Sequence, residues 1–123
     1  MLERLTKKED FERVRRDGAR WRGKYCTLNA ARALTRADEA EPRTRVGYIT
    51  PRALGSAVKR NRARRLLREA TRQLSASIAP GWDIVLIAQP AIIVESARMP
   101  QVQEDLLWLL NRAHLIPTAP IAR

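Results

Sequence analysis

Residues 82 to 88 read Trp-Asp-Ile-Val-Leu-Ile-Ala, an almost unbroken apolar run rich in β-branched side chains. Such a run predicts a strand buried on both faces, and such a strand lies in the middle of a sheet. The segment before it has another period. Between Ala57 and Ile78, the side chains of Ala63, Leu66, Leu67, Ala70 and Leu74 gather in one arc of a helical wheel, roughly 100° wide. Ser56 is placed to cap this helix, and Pro80-Gly81 to end it. Ahead of it, Arg45-Val46-Gly47-Tyr48-Ile49 predicts a strand stopped by Pro51. Strand, long helix and buried strand form the order of a βαβ crossover.

The flanks are weaker in pattern. Thr6-Lys7-Lys8-Glu9 reads as a capping box, with Thr6 and Glu9 each serving the other's backbone amide. The helix it opens runs to about Asp17, where Gly18 ends it. Its apolar content is thin, Phe11 and Val14 with Leu5 just outside, so it has to dock on the sheet to be stable. From Lys24 to Ala33 the residues alternate, Cys26, Leu28 and Ala30 against Tyr25, Thr27 and Asn29, which predicts a strand. Arg36 to Pro42, with Asp38, Glu39 and Glu41, reads as a solvated loop. Pro100 suits the first position of a last helix, whose core face is Val102, Leu106, Leu109, Leu110 and Ala113. The whole predicts one α+β domain over residues 1–123, in the order α-β-β-(β)-α-β-α. Its ordered core spans about residues 5–115, and a proline-bearing tail at 116–123 is expected to be flexible.

Charge narrows the function. The chain has 123 residues with 24 Lys and Arg against 13 Asp and Glu, a net charge of +11. That excess on one small domain marks a polyanion partner, without distinguishing RNA from DNA or an anionic membrane. The membrane reading is the weakest, since no apolar run approaches the roughly 18 residues a spanning helix needs. Nor does a signal-peptide core follow Met1-Leu2-Glu3-Arg4. The single cysteine, Cys26, fits a reducing compartment.

On the wheel of the long helix, Asn61, Arg64, Arg65, Arg68 and Arg72 lie opposite the apolar arc. Arg60 and Arg62 flank it, and Lys59 falls in the first turn. A solvated helix usually mixes signs, because acid and base four residues apart stabilise it. Here Arg60, Arg64, Arg68 and Arg72 stand four apart, and Glu69 is the only acid between Lys59 and Ile78. Like charges at that spacing cost a few tenths of a kcal/mol per pair, a cost that bound phosphates would offset. Arginine rather than lysine adds a planar fork that grips phosphate bidentately. DNA reading fits less well, because no helix-turn-helix pair or dimer-forming heptad accompanies the helix.

At Gly55-Ser56-Ala57-Val58-Lys59-Arg60-Asn61-Arg62-Ala63-Arg64-Arg65-Leu66-Leu67-Arg68-Glu69, preceded by Arg45-Val46-Gly47, the chain resembles the bacterial ribonuclease P protein subunit. Lys8-Glu9-Asp10-Phe11 with Gly18, and Trp82 to Ala88, continue the likeness, which covers about Leu5 to Leu110 in consistent order. The resemblance implies an α/β sandwich with a left-handed βαβ crossover, against the usual right-handed rule. It implies a cytoplasmic 1:1 complex with a large catalytic RNA that removes 5′ leaders from precursor tRNA. No membrane and no obligate protein partner is implied. Mg2+ would be held mainly by the RNA, which performs the hydrolysis, and no organic cofactor is implied.

By position, Arg60, Asn61, Arg62, Arg64, Arg65 and Arg68 match the family's RNA-binding motif; Lys59, Arg72 and Arg52 extend the basic surface. Asn61 is expected to fix local geometry by side-chain hydrogen bonds. Phe11 matches the first aromatic of a cleft for the precursor-tRNA leader. The second falls on Arg15, and the first-strand aromatics fall on or near Cys26 and Asn29. Paired lysines after the second strand become Arg52-Ala53. With Tyr25 and Thr27, the expected cleft is Phe11, Arg15, Tyr25, Thr27 and Asn29, more polar and cationic than the family's; Trp21 and Tyr48 are further candidates for stacking.

A protein-only nuclease would need clustered carboxylates or a histidine base. Asp83, Glu104 and Asp105 form no metal motif, and His114 stands alone, so no catalytic residue and no metal site is expected in the protein. The alternative is a ribosome-associated or other non-catalytic binder of structured RNA.

Overall fold

The computed structural model describes residues 2–34 and 43–117. The loop expected at Arg36 to Pro42, with Asp38, Glu39 and Glu41, and the tail beyond Pro117 lie outside the described residues. Five strands form one mixed sheet: β1 (Glu3–Arg4), β2 (Ala19–Arg22), β3 (Cys26–Arg32), β4 (Arg45–Ile49) and β5 (Trp82–Ala88). They lie in the order β1-β4-β5-β3-β2. The apolar run is β5, and it is central: Val46 to Ile49 run parallel to Ile84 to Ile87 on one side, and Cys26 pairs antiparallel with Ala88 on the other.

Four helices complete the domain: α1 (Lys8–Asp17), α2 (Ala57–Leu74), α3 (Ala91–Val94) and α4 (Met99–Arg112). Alternation along the strands sorts the side chains. Cys26, Leu28, Ile84 and Leu86 meet Ala63, Leu67, Leu106, Leu109 and Leu110 in the main core, under α2 and α4. On the other face Phe11 and Val14 of α1 pack with Leu5, Ala31 and Val85. The sheet is thus a middle layer, and α2 is the crossover between its neighbours β4 and β5.

Several local expectations are corrected. Lys7, not Thr6, precedes α1, and no side chain caps it. Gly18 ends α1 in an extended conformation, φ −86°, so left-handed freedom is not its use. A side chain there would strike the Val14 carbonyl oxygen and come within 2.6 Å of the Ala30 oxygen, where the chain turns into β2 alongside β3. Ser56 caps α2 as expected, its hydroxyl accepting from the Lys59 amide at 3.3 Å. That helix stops at Leu74 and tightens into a 3-10 turn, Ser75–Ser77, short of Ile78. Met99 takes the first position of α4, ahead of Pro100. β1 lies at the sheet edge, so the ordered chain begins before residue 5.

Candidate nucleic-acid interface

The basic side of α2 is held by neighbours. Thr50, just beyond β4, serves two arginines: its carbonyl accepts from Arg60 Nε at 3.2 Å, and its Oγ1 accepts from Arg64 Nη2 at 2.6 Å. Arg64 Nη1 donates to Asn61 Oδ1 at 3.1 Å, so Arg64 is held from both sides. Asn61 makes the local side-chain bond expected of it. The Arg68 guanidinium lies 5.9 Å from the centre of the Tyr48 ring, a cation–π arrangement. Arg62 Nη2 donates to the Ala97 carbonyl at 3.3 Å.

The row of like charges is therefore not four free cations. Arg72 forms an ion pair with Glu69, donating from Nε at 2.9 Å. Glu69 holds Arg72's proton more firmly, and Arg72 holds Glu69's carboxyl below its ordinary range. Arg65, Lys59 and Arg52 are exposed and make no side-chain hydrogen bond or ion pair among the described residues. The wheel could not show Thr50, which comes from outside the helix. The outcome is a face with four held guanidinium groups, those of Arg60, Arg62, Arg64 and Arg68, and an exposed Arg65.

The second feature lies across the sheet. Alternation puts Thr27, Asn29, Gly47, Ile49, Val85 and Ile87 on the face that α1 covers. Opposite residues of an antiparallel pair share a face, so Arg20 (opposite Asn29) and Arg22 (opposite Thr27) join them from the edge strand β2. α1 covers only part of this surface. Val85, Ala31 and Asp83 are buried beneath it, whereas Thr27 and Ile87 are half-buried and Ile49 is exposed. The uncovered row, Ile49–Ile87–Thr27–Arg22, is the floor of a groove running across the strands. Gln89 Nε2 braces this floor, donating to Thr27 Oγ1 at 3.0 Å and to the Gly23 carbonyl at 2.9 Å.

Phe11 borders this groove. Its ring rests on Gly47, where an added Cβ would come within 2.5 Å of Phe11 Cζ. Arg15, one turn on, is exposed. Asn29 is 4% exposed and accepts from Arg20 Nε at 3.1 Å. Phe11, Arg15, Thr27 and Asn29 thus belong to one face, but Tyr25 does not. Its amide donates to Asp105 of α4 at 2.8 Å and its hydroxyl to Glu95 at 3.3 Å, which draws it into the main core. Strand alternation starts only at Cys26, so the extrapolation to Tyr25 fails. Trp21 and Tyr48 also pack on the main-core side and leave the groove without their rings.

An ionic cluster fixes α1 over the sheet. Asp83 has no exposed surface. Arg45 grips it with Nε at 2.9 Å and Nη2 at 2.8 Å, and Arg13 of α1 pairs with it from above. Arg45 also reaches Asp10 of α1 at 3.3 Å, and the Asp83 hydrogen bonds raise its pKa. Asp105 is equally committed, accepting from the amides of Lys24, Tyr25 and Cys26. Among the described residues no three His, Cys, Asp or Glu side chains form a group able to hold a metal ion, and no helix is long and apolar enough to cross a membrane.

The sequence and the fold have counterparts among known proteins. A family model described as Ribonuclease P matches residues 2–114. The ribonuclease P protein component of Roseiflexus sp. (strain RS-1) is 44% identical over 113 residues, 92% of this chain and 87% of that protein. That of Brevibacillus brevis is 34% identical over 118 residues, 96% of this chain and 88% of that protein. Among solved structures, the RNase P protein from Thermotoga maritima aligns with a TM-score of 0.76 at 28% identity, covering 89% of this chain and 96% of that one. The Staphylococcus aureus RNase P protein gives 0.75 at 25% identity, covering 92% and 96%.

Proposed function

The chain belongs to the ribonuclease P protein family, and from that premise we propose that it binds the catalytic RNA of ribonuclease P through α2 and holds the 5′ leader of precursor tRNA in the groove beside α1. The holoenzyme would be a cytoplasmic 1:1 complex that cuts the leader from precursor tRNA, the RNA carrying the chemistry. One observation carries this reading: Thr50 and Asn61 hold the guanidinium groups of Arg60 and Arg64 on an exposed helix face. Splinted arginines lose little side-chain entropy on meeting phosphates. Lys59, Arg62, Arg65, Arg68 and Arg52 widen the basic surface, while Arg72, neutralised by Glu69, is its margin.

Asp83 and Asp105 do not fit a magnesium site. Asp83 is gripped by two guanidinium groups and Asp105 by three backbone amides. The proposal therefore leaves Mg2+ with the RNA. The test is reconstitution: the folded protein, added to the catalytic RNA, is expected to restore leader removal at a magnesium concentration where the RNA alone is inactive. No restoration by folded protein sinks the reading.

A further inference from the structure

We propose that Arg20 and Arg22 of the edge strand β2 form a phosphate-binding rail across the end of the groove at the sheet edge, so that this protein holds its single-stranded ligand by the sugar-phosphate backbone rather than by stacked bases. The inference rests on the proposed leader groove and assigns the chemistry of its end at the sheet edge.

Three observations converge. β2 reads Ala-Arg-Trp-Arg, and its only apolar ring, Trp21, turns to the main core. The groove side of the strand is thus purely cationic. The two arginines stand two residues apart on one face, about 6.6 Å along a strand, a spacing comparable to that of successive phosphates in an extended single strand. Next, their cross-strand partners are neutral. A sheet surface meant only for solvent gains by setting acid against base, yet Arg20 faces Asn29 and Arg22 faces Thr27. Among the described residues neither arginine has a carboxylate within ion-pair distance.

The third observation concerns direction. Asn29 is a buried amide whose oxygen accepts from Arg20 Nε. That bond uses the inner nitrogen of the guanidinium and leaves Nη1 and Nη2, the outer fork, without a partner among the described residues. A bound Nε with a free outer fork is the posture in which arginine takes two phosphate oxygens. On the Phe11 side of α1, one helical turn on, Arg15 adds a third exposed guanidinium. Among the described residues Phe11 is the single aromatic ring bordering the groove, too few for a ladder of stacked bases.

The experiment uses the reconstituted holoenzyme and measures Kd for precursor tRNA and for mature tRNA. The arms are Arg20→Ala with Arg22→Ala, the same pair replaced by Lys, and Phe11→Ala. A second precursor carries neutral methylphosphonate linkages throughout its leader. The double alanine variant is expected to weaken precursor binding about tenfold and leave mature-tRNA binding unchanged. Its salt slope should drop by about 0.7 for each phosphate that it no longer neutralises, and the lysine pair should recover part of the affinity. On the neutral-leader precursor, the double alanine variant should bind like the unaltered protein. Equal losses on mature tRNA, or an undiminished loss on the neutral leader, overturn the rail. If Phe11→Ala costs precursor discrimination while the double alanine variant does not, the rail is wrong and the groove stands. If neither variant separates precursor from mature tRNA, both fall. Unchanged thermal midpoints and catalytic-RNA affinity show that the variants fold.

Discussion

Asp83 is the one charged residue wholly removed from solvent among the described residues, and its value lies in being doubly paired. Asp83→Asn keeps the shape and removes the charge, leaving Arg13 and Arg45 facing a neutral amide. Breaking such a pair costs about 3 kcal/mol, toward the low end because Arg45 keeps 28% of its side-chain surface. Urea unfolding is expected to show the midpoint falling without a change in slope. Position also separates the arginines of α2. Arg60→Ala and Arg65→Ala should each weaken association with the catalytic RNA and flatten its salt dependence, since a phosphate left unneutralised keeps its counterion. Arg72→Ala should do much less of either, because Glu69 already occupies that guanidinium. Equal slopes for Arg65→Ala and the unaltered protein would take Arg65 off the interface.

Cys26 gives a pH-dependent outcome. Burial among apolar side chains raises its thiol pKa, and the nearby Asp105 carboxylate adds to the shift. An unfolded thiol ionises near pH 8.5. Below that, both states hold the proton and Cys26 contributes nothing to the pH dependence. Above it, only the folded state does, so stability is lost as pH rises, by up to about 1.4 kcal/mol per unit. The unfolding free energy of Cys26→Ala should fall less steeply than that of the unaltered protein between about pH 8.5 and 10. Parallel curves would mean that Cys26 ionises freely in the fold.

At the scale of elements, what can be read from the sequence depends on how many neighbours an element has. β4 and β5 are legible to the residue: Pro51 stops the one, and burial on both faces gives the other a continuous apolar run. The core face of α4 is legible because Val102, Leu106, Leu109 and Leu110 repeat at helical spacing and are all buried. β1 and α3 escape such a reading, since two residues and four are too short for any period. β2 is hidden because one inward ring between outward arginines resembles a loop. The groove is legible in part. Phe11, Arg15, Thr27 and Asn29 share its face, whereas Ile49 and Ile87 supply its floor and become visible only through strand register. Register also explains Gly47, which leaves room for the Phe11 ring. Phe11→Ala should weaken precursor-tRNA binding more than mature-tRNA binding, and Gly47→Ala, by displacing the ring, should do the same. Equal losses on both tRNAs would reduce Phe11 to packing.

On the scale of the molecule, the two surfaces meet at the end of β4. Ile49 opens into the groove on one side of the sheet, and Thr50, the next residue, anchors Arg60 and Arg64 on the other. In the proposed complex, a protein of net charge +11 between two RNAs would supply cations that the RNA alone would draw from magnesium. Raising monovalent salt should therefore erode its help: between about 50 and 200 mM, the magnesium needed for leader removal should climb toward the level of the RNA alone. A requirement that stays flat across that range would show that the protein acts without its charge.

The position of β5 has a consequence in time. Its neighbours β3 and β4 lie far ahead of it in the chain, Cys26 pairing with Ala88 and Ile49 with Ile87. A ribosome therefore makes the middle of the sheet after its sides: until residue 88 has emerged, β3 and β4 have no strand between them and α2 has no finished surface to lie on. Closing such distant pairs is slow. For that interval the arginine helix is a sticky, unshaped polycation in surroundings full of nucleic acid. The sheet that positions that helix is complete only once Trp82 to Ala88 fill the place between the earlier strands.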